Sequence, residues 1–131
     1  MSGLAQGREP SIRQRRTEEL LAQELTVILQ ESVHDPRISG AAVTGVRVSR
    51  DLRRATVLVA GSGHLQRLEL LRALDHSAPF IRRELGVRAY LRIIPELQFR
   101  IDDSLERARR VEELLDQVAS DPPEATEPDD E

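Results

Sequence analysis

The sequence predicts an α+β fold, a small three-stranded sheet with helices packed on one face. Three observations carry this. Apolar residues recur at helical spacing in separate stretches, two alternating runs follow the first of them, and a third alternating run precedes the last. The chain has 131 residues, the size of one ordinary domain with tails. It has no cysteine, which excludes a disulfide framework, a thiol nucleophile and a cysteine zinc site.

Residues 1–10, ending Arg8-Glu9-Pro10, read as a flexible arm. Ser11 followed by Gln14 fits a capping box, so the first helix starts there and runs to about Val33, before Asp35-Pro36. Thr17, Leu21, Leu25, Ile28 and Ser32 mark its inner face. Thr44, Val46 and Val48 then alternate with Val43, Gly45 and Arg47, and Ala55–Ala60 alternates again. The short polar link Ser49–Arg53 joins the two runs as an antiparallel hairpin, and Gly61-Ser62-Gly63 ends it.

Leu65, Leu68, Leu71 and Leu74 restore the helical period. Pro79 removes one helical hydrogen bond, so the helix is expected to kink or restart at Ser77-Ala78-Pro79, with Gly86 ending the second piece. Leu97, Phe99 and Ile101 form the third strand after Pro95. Asp103 and Glu106 cap a last helix whose apolar stripe is Leu105, Ala108, Val111, Leu115 and Val118. The folded domain is thus read as 11–119, and 120–131 as a disordered acidic tail.

The net charge of −4 averages two unlike parts. Residues 1–115 carry all nineteen bases against sixteen acids, while 116–131 carry seven acids and no base. Every base is arginine, whose fork pairs bidentately with phosphate. Catalytic material is sparse. His34, His64 and His76 are scattered without metal spacing, Ser49 and Ser77 lack a neighbouring base, and one of Asp102-Asp103 is better used as a cap. Gly61-Ser62-Gly63 is too short for a phosphate-cradling loop. No metal, cofactor or enzymatic activity is expected, nor a membrane span or signal peptide, which places the chain in the cytoplasm.

Nucleic acid has better footing. Arg13, Arg15 and Arg16 gather at one helix end, Arg82 and Arg83 follow the expected kink, and Arg88 and Arg92 come after. The plain alternative is a solvated face, since many of these have acids within four residues. Phe80, Tyr90 and Phe99 are the only aromatic residues, and Phe80 and Phe99 sit in core positions, so a stacking platform for splayed bases is not expected; arginine–phosphate contacts and shape would hold any RNA.

One ordered series runs through these residues: Arg16 to Gln30, Asp35-Pro36-Arg37-Ile38 and Val46-Arg47-Val48-Ser49-Arg50-Asp51-Leu52 with Ala55. It continues through Phe80-Ile81-Arg82, Leu91-Arg92, Pro95-Glu96-Leu97-Gln98-Phe99 and Asp102-Asp103-Ser104-Leu105. The series, over about residues 13–116, resembles the ribosome-binding factor A family of bacterial small-subunit assembly factors. The resemblance implies a KH-like fold of the second type, with a helix–kink–helix in place of the Gly-x-x-Gly loop. It also implies a non-catalytic, monomeric factor for the free, immature 30S subunit. Such a factor contacts 16S rRNA near the neck and decoding region and assists late maturation and 5′-end processing. Arg13, Arg16, Arg37, Arg82, Arg83, Arg88 and Arg92 are the candidate RNA contacts, and Arg8 would join them on an arm ordered by binding.

The family's Ala-x-Gly falls on Ser77-Ala78-Pro79, which keeps a kink and loses the glycine. Thr17 stands at a usually apolar position, and the link Gly61–His64 is short. Two other functions remain open from the residues: a KH-like module for another structured RNA, and recruitment of a basic protein by the acidic tail.

Overall fold

The computed structural model describes residues 9–61 and 64–120. In chain order its elements are α1 (Ile12–Val27, prolonged by a π-helical turn over Ile28–Ser32), β1 (Ala42–Val48), β2 (Arg54–Ala60), α2 (His64–Ala89), β3 (Glu96–Ile101) and α3 (Ser104–Ser120). The architecture is the expected α+β arrangement, a mixed sheet with three helices. The arm before Glu9, with Arg8, and the tail 121–131 lie outside the described residues.

The capping box forms as its spacing predicts. The Ser11 hydroxyl accepts from the Gln14 amide at 3.0 Å, and the Gln14 side chain accepts from the Ser11 N–H at 2.9 Å. Leu21, Leu25, Ile28 and Leu29 then turn inward and are buried. The last turn widens until the Val33 N–H donates to the Ile28 carbonyl at 3.1 Å, which closes the helix just before Asp35-Pro36.

The strand order is β1-β2-β3. β1 and β2 pair antiparallel, through a hairpin; β2 and β3 pair parallel, which requires a crossover, and α2 supplies it. The register aligns Val46, Val57 and Phe99 in one row and Val48, Ala55 and Leu97 in another. Most of these side chains are buried beneath α1 and α2, with Leu97 at the margin. The intervening row, Arg47, Thr56 and Gln98, faces the uncovered side, as the period of two demands.

α2 neither restarts at Pro79 nor ends at Gly86. Pro79 sits inside one continuous helix of 26 residues instead of starting a second. The ring denies the Asp75 carbonyl its usual donor, yet Ala73, Leu74, Ile81 and Leu85, all fully buried on the two sides of it, hold both halves on the same core. Gly86 does not end the helix, which continues to Ala89. Its use is steric, because a Cβ there would stand 2.5 Å from Ile94 Cδ1. The end falls instead at Tyr90, whose φ of +54° is the left-handed conformation that stops helices.

α3 differs more. The stripe expected to face the core lies in solvent: Leu105, Val111, Leu115 and Val118 are all exposed, as is Leu114. Ion pairs hold its first turns. Glu106 pairs with Arg67 of α2, and Asp103 pairs with Arg107 one turn on. Asp102, just before it, accepts from the Ser104 N–H at 3.0 Å and from the Thr44 hydroxyl of β1 at 2.6 Å. Those bonds pull the Asp102 carboxyl down to about 2, the Thr44 hydroxyl contributing most.

Candidate nucleic-acid interface

Topology decides which arginines meet. The hairpin joins the end of β1 to the start of β2, and β3 begins at that same end because it runs parallel to β2. α1 starts there too. Gln14 Nε2 donates to the Val48 carbonyl at 3.1 Å, and the Glu18 carboxylate accepts from the Val48 N–H at 2.9 Å, so two α1 side chains satisfy the last residue of β1. Arg13, Arg15 and Arg16, all exposed, therefore stand beside the hairpin.

The hairpin adds Arg47, Arg50, Arg53 and Arg54, again exposed. Its turn is braced by Asp51, which accepts from the Ser49 hydroxyl at 2.7 Å and the Arg53 N–H at 3.0 Å and is held below the ordinary carboxylate range by them. The segment 90–95 contributes Arg92. These four hairpin arginines are the part that reading charge runs along helices missed. The signal was available, since Arg50 and Arg53 lie in the predicted turn and Arg54 follows it.

The seven arginines singled out from sequence have unlike surroundings. Arg13, Arg16 and Arg92 are exposed at the hairpin end, and no described residue forms an ion pair with them. Arg82 reaches the same end but is engaged: Nε donates to the Pro95 carbonyl at 2.9 Å and Nη2 to the Ile94 carbonyl at 2.8 Å. It fixes the path into β3. Arg83 lies over the Phe80 ring at 5.9 Å. Arg88 is bound to Glu24 of α1 at 2.8 Å.

Arg37 lies apart. It belongs to the turn that leads into β1, at the opposite end of the sheet, where Asp35 holds it bidentately at 3.1 and 2.8 Å. That pairing lowers the Asp35 carboxyl. Ser77 and Ala78 are half-buried, Ala78 against the core, and Pro79 is exposed.

A cleft of about 480 Å³ opens at the hairpin end, lined by Arg53, Arg54, Arg82, Ile93, Ile94 and Glu96. Three guanidinium groups against one carboxylate suit an anion. Two clefts of similar size flank the turn at the other end, but the arginine lining one of them, Arg37, already has its carboxylate. Among the described residues no three His, Cys, Asp or Glu side chains gather as a metal site, and no helix is long and apolar enough to cross a membrane.

The fold is shared with known proteins. The family model described as Ribosome-binding factor A matches residues 13–115. The chain belongs to the ribosome-binding factor A family. A ribosome-binding factor A from Thermomicrobium roseum is 44% identical over 110 residues, covering 83% of this chain and 85% of the relative. The crystal structure of ribosome-binding factor A from Thermus thermophilus superposes with a TM-score of 0.62 at 26% identity, covering 67% of this chain and 94% of that one. Coordinates of the Thermus thermophilus factor fitted into a cryo-EM map of its 30S complex give a TM-score of 0.57 at 26% identity, covering 66% and 91%. The family match runs from the arginines at the start of α1 through the hairpin and into α3, so it includes every element of the charged end.

Proposed function

We propose that this chain is a non-catalytic assembly factor that binds the free, immature 30S subunit as a monomer in the cytoplasm. It assists late maturation of that subunit, including processing of the 5′ end of 16S rRNA, and requires no cofactor. One observation carries the reading: the family match covers, without interruption, the elements that bring the exposed arginines together. The Thermus thermophilus factor in its 30S complex supports the choice of subunit. The unpaired guanidinium groups at the hairpin end support attachment through rRNA phosphates.

Sedimentation with purified small subunits, large subunits and intact ribosomes at several salt concentrations tests it. Binding to small subunits alone, weakening steeply with salt, is the expected result. Reversing Arg13 and Arg16 to Glu is expected to weaken it roughly tenfold and to flatten the salt slope, because each lost phosphate contact releases fewer counterions. Equal binding to both subunits, or no salt dependence, would overturn the reading in favour of a general RNA module or a protein-directed tail.

A further inference from the structure

We infer that the cleft between the hairpin and the segment 90–95 seats an unpaired nucleotide of RNA. Arg53, Arg54 and the outer N–H groups of Arg82 hold its phosphodiester, and the Tyr90 ring stacks on its base. The inference rests on the RNA-binding reading of the arginine-rich end and names the nucleotide state which that end selects.

The phosphate half follows from the lining of the cleft. Arg53 and Arg54 are exposed, and no described residue forms an ion pair with either. Arg82 lines the cleft and spends Nε and Nη2 on the carbonyls of Pro95 and Ile94, which fixes the plane of the group and leaves Nη1 and one Nη2 hydrogen outside those two bonds. The Glu96 N–H donates to the Arg53 carbonyl at 2.8 Å, so both walls are tied together and the seat is formed in advance.

The base half follows from Tyr90. Its side chain is 89% exposed, the most open large apolar or aromatic residue among those described, although its backbone is left-handed at φ +54°. A bulky residue in that conformation costs free energy that its surroundings must offset. The other such residue, Leu52 in the hairpin, packs against the core; Tyr90 has no comparable burial. The ring belongs to a residue three positions before Ile93 on the cleft wall, so the two Cα atoms are at most about 11 Å apart. Val87 and Ile93, each three positions from Tyr90 in the chain, are also exposed. A base paired within a duplex offers no free face to such a ring, so the seat discriminates for unpaired nucleotides.

The chain offers its own probe. Tyr90 is its one tyrosine and it has no tryptophan, so intrinsic emission reports this ring alone. The full chain is titrated with a ten-nucleotide single-stranded RNA and with a blunt RNA duplex of the same length. Free tyrosine amide serves as the absorption control, and labelled RNA gives affinities independently. The single strand is expected to quench Tyr90 and to bind more tightly than the duplex. Tyr90→Asn tolerates the left-handed backbone and removes the ring; it is expected to weaken single-strand binding about tenfold, while Tyr90→Phe restores it. Arg53→Ala with Arg54→Ala is expected to weaken binding at least tenfold and to flatten its salt slope.

Unchanged emission at saturating RNA would overturn the stacking role and leave Val87, Tyr90 and Ile93 as a protein-docking patch. Unchanged affinity and slope in the double arginine variant would overturn the phosphate seat. Neither result touches the ribosomal reading, which fails separately if wild-type chain does not sediment with small subunits.

Discussion

α2 and α3 are both amphipathic by sequence, with leucines and valines at the same three- and four-residue spacing, yet only one of them is covered. In α2, Leu70, Ala73, Leu74, Ile81 and Leu85 are buried under the sheet, and the helix runs unbroken through a proline. In α3, Leu105, Val111, Leu114, Leu115 and Val118 remain more than half exposed. Periodicity specifies that a helix forms and which side is apolar. It does not specify that the chain has another surface left to cover that side. The core is already closed by α1, α2 and the sheet, and α3 leaves from the last residue of β3 with its first turn held by ion pairs.

The comparison breaks or holds on one pair of substitutions. Leu74→Ala is expected to lose about 2–5 kcal/mol of stability, the usual cost of a buried leucine with its cavity. Leu115→Ala is expected to change it by less than about 0.5 kcal/mol, as at other exposed sites. Urea midpoints of the two variants check this. A large loss at Leu115 would mean that α3 is covered in solution.

Arginines divide the same way. Arg82 on α2 makes two hydrogen bonds to carbonyls in a half-buried setting, so Arg82→Ala is expected to cost about 1–3 kcal/mol. Arg110 on α3 is exposed, and Arg110→Ala is expected to leave the midpoint unchanged. An Arg82 variant as stable as wild type would return that residue to the group of free phosphate ligands.

These contrasts mark what was legible. The capping box, the hairpin, the third strand and the order of all elements were readable because each rests on neighbours within a few residues. The engagement of Arg82 with residues 94 and 95, and of Arg88 with Glu24, was not, because those partners are 12 to 64 positions away. At Pro79 the restart, one of the two outcomes expected there, does not occur, for a related reason. The local cost of a proline was visible, but the burial that offsets it on both sides was not. Gly86 suggested a helix end through its backbone freedom, whereas the fold uses its missing side chain to admit Ile94. The charged end was half legible: α1 and the segment before β3 stand out as charge runs, while the hairpin arginines join them through the bonds of Gln14 and Glu18 to Val48 and the parallel pairing of β3.

The smallest effect sharpens where α3 joins the body. Asp102 is half-buried, and its bonds from Thr44 and Ser104 favour the charged form, which places its carboxyl at about 2 in the folded chain. An unfolded aspartate titrates near 3.9. A group depressed on folding adds stability that is fully present above the unfolded value and disappears as pH falls through the folded one. Asp102→Asn keeps an acceptor for the Ser104 N–H but carries no charge. The variant is therefore expected to be slightly less stable than wild type at pH 7, and the gap is expected to close between about pH 4 and pH 2. Urea midpoints measured across that range decide it. A gap that stays constant down to pH 2 would mean that shape rather than charge fastens α3 to β1.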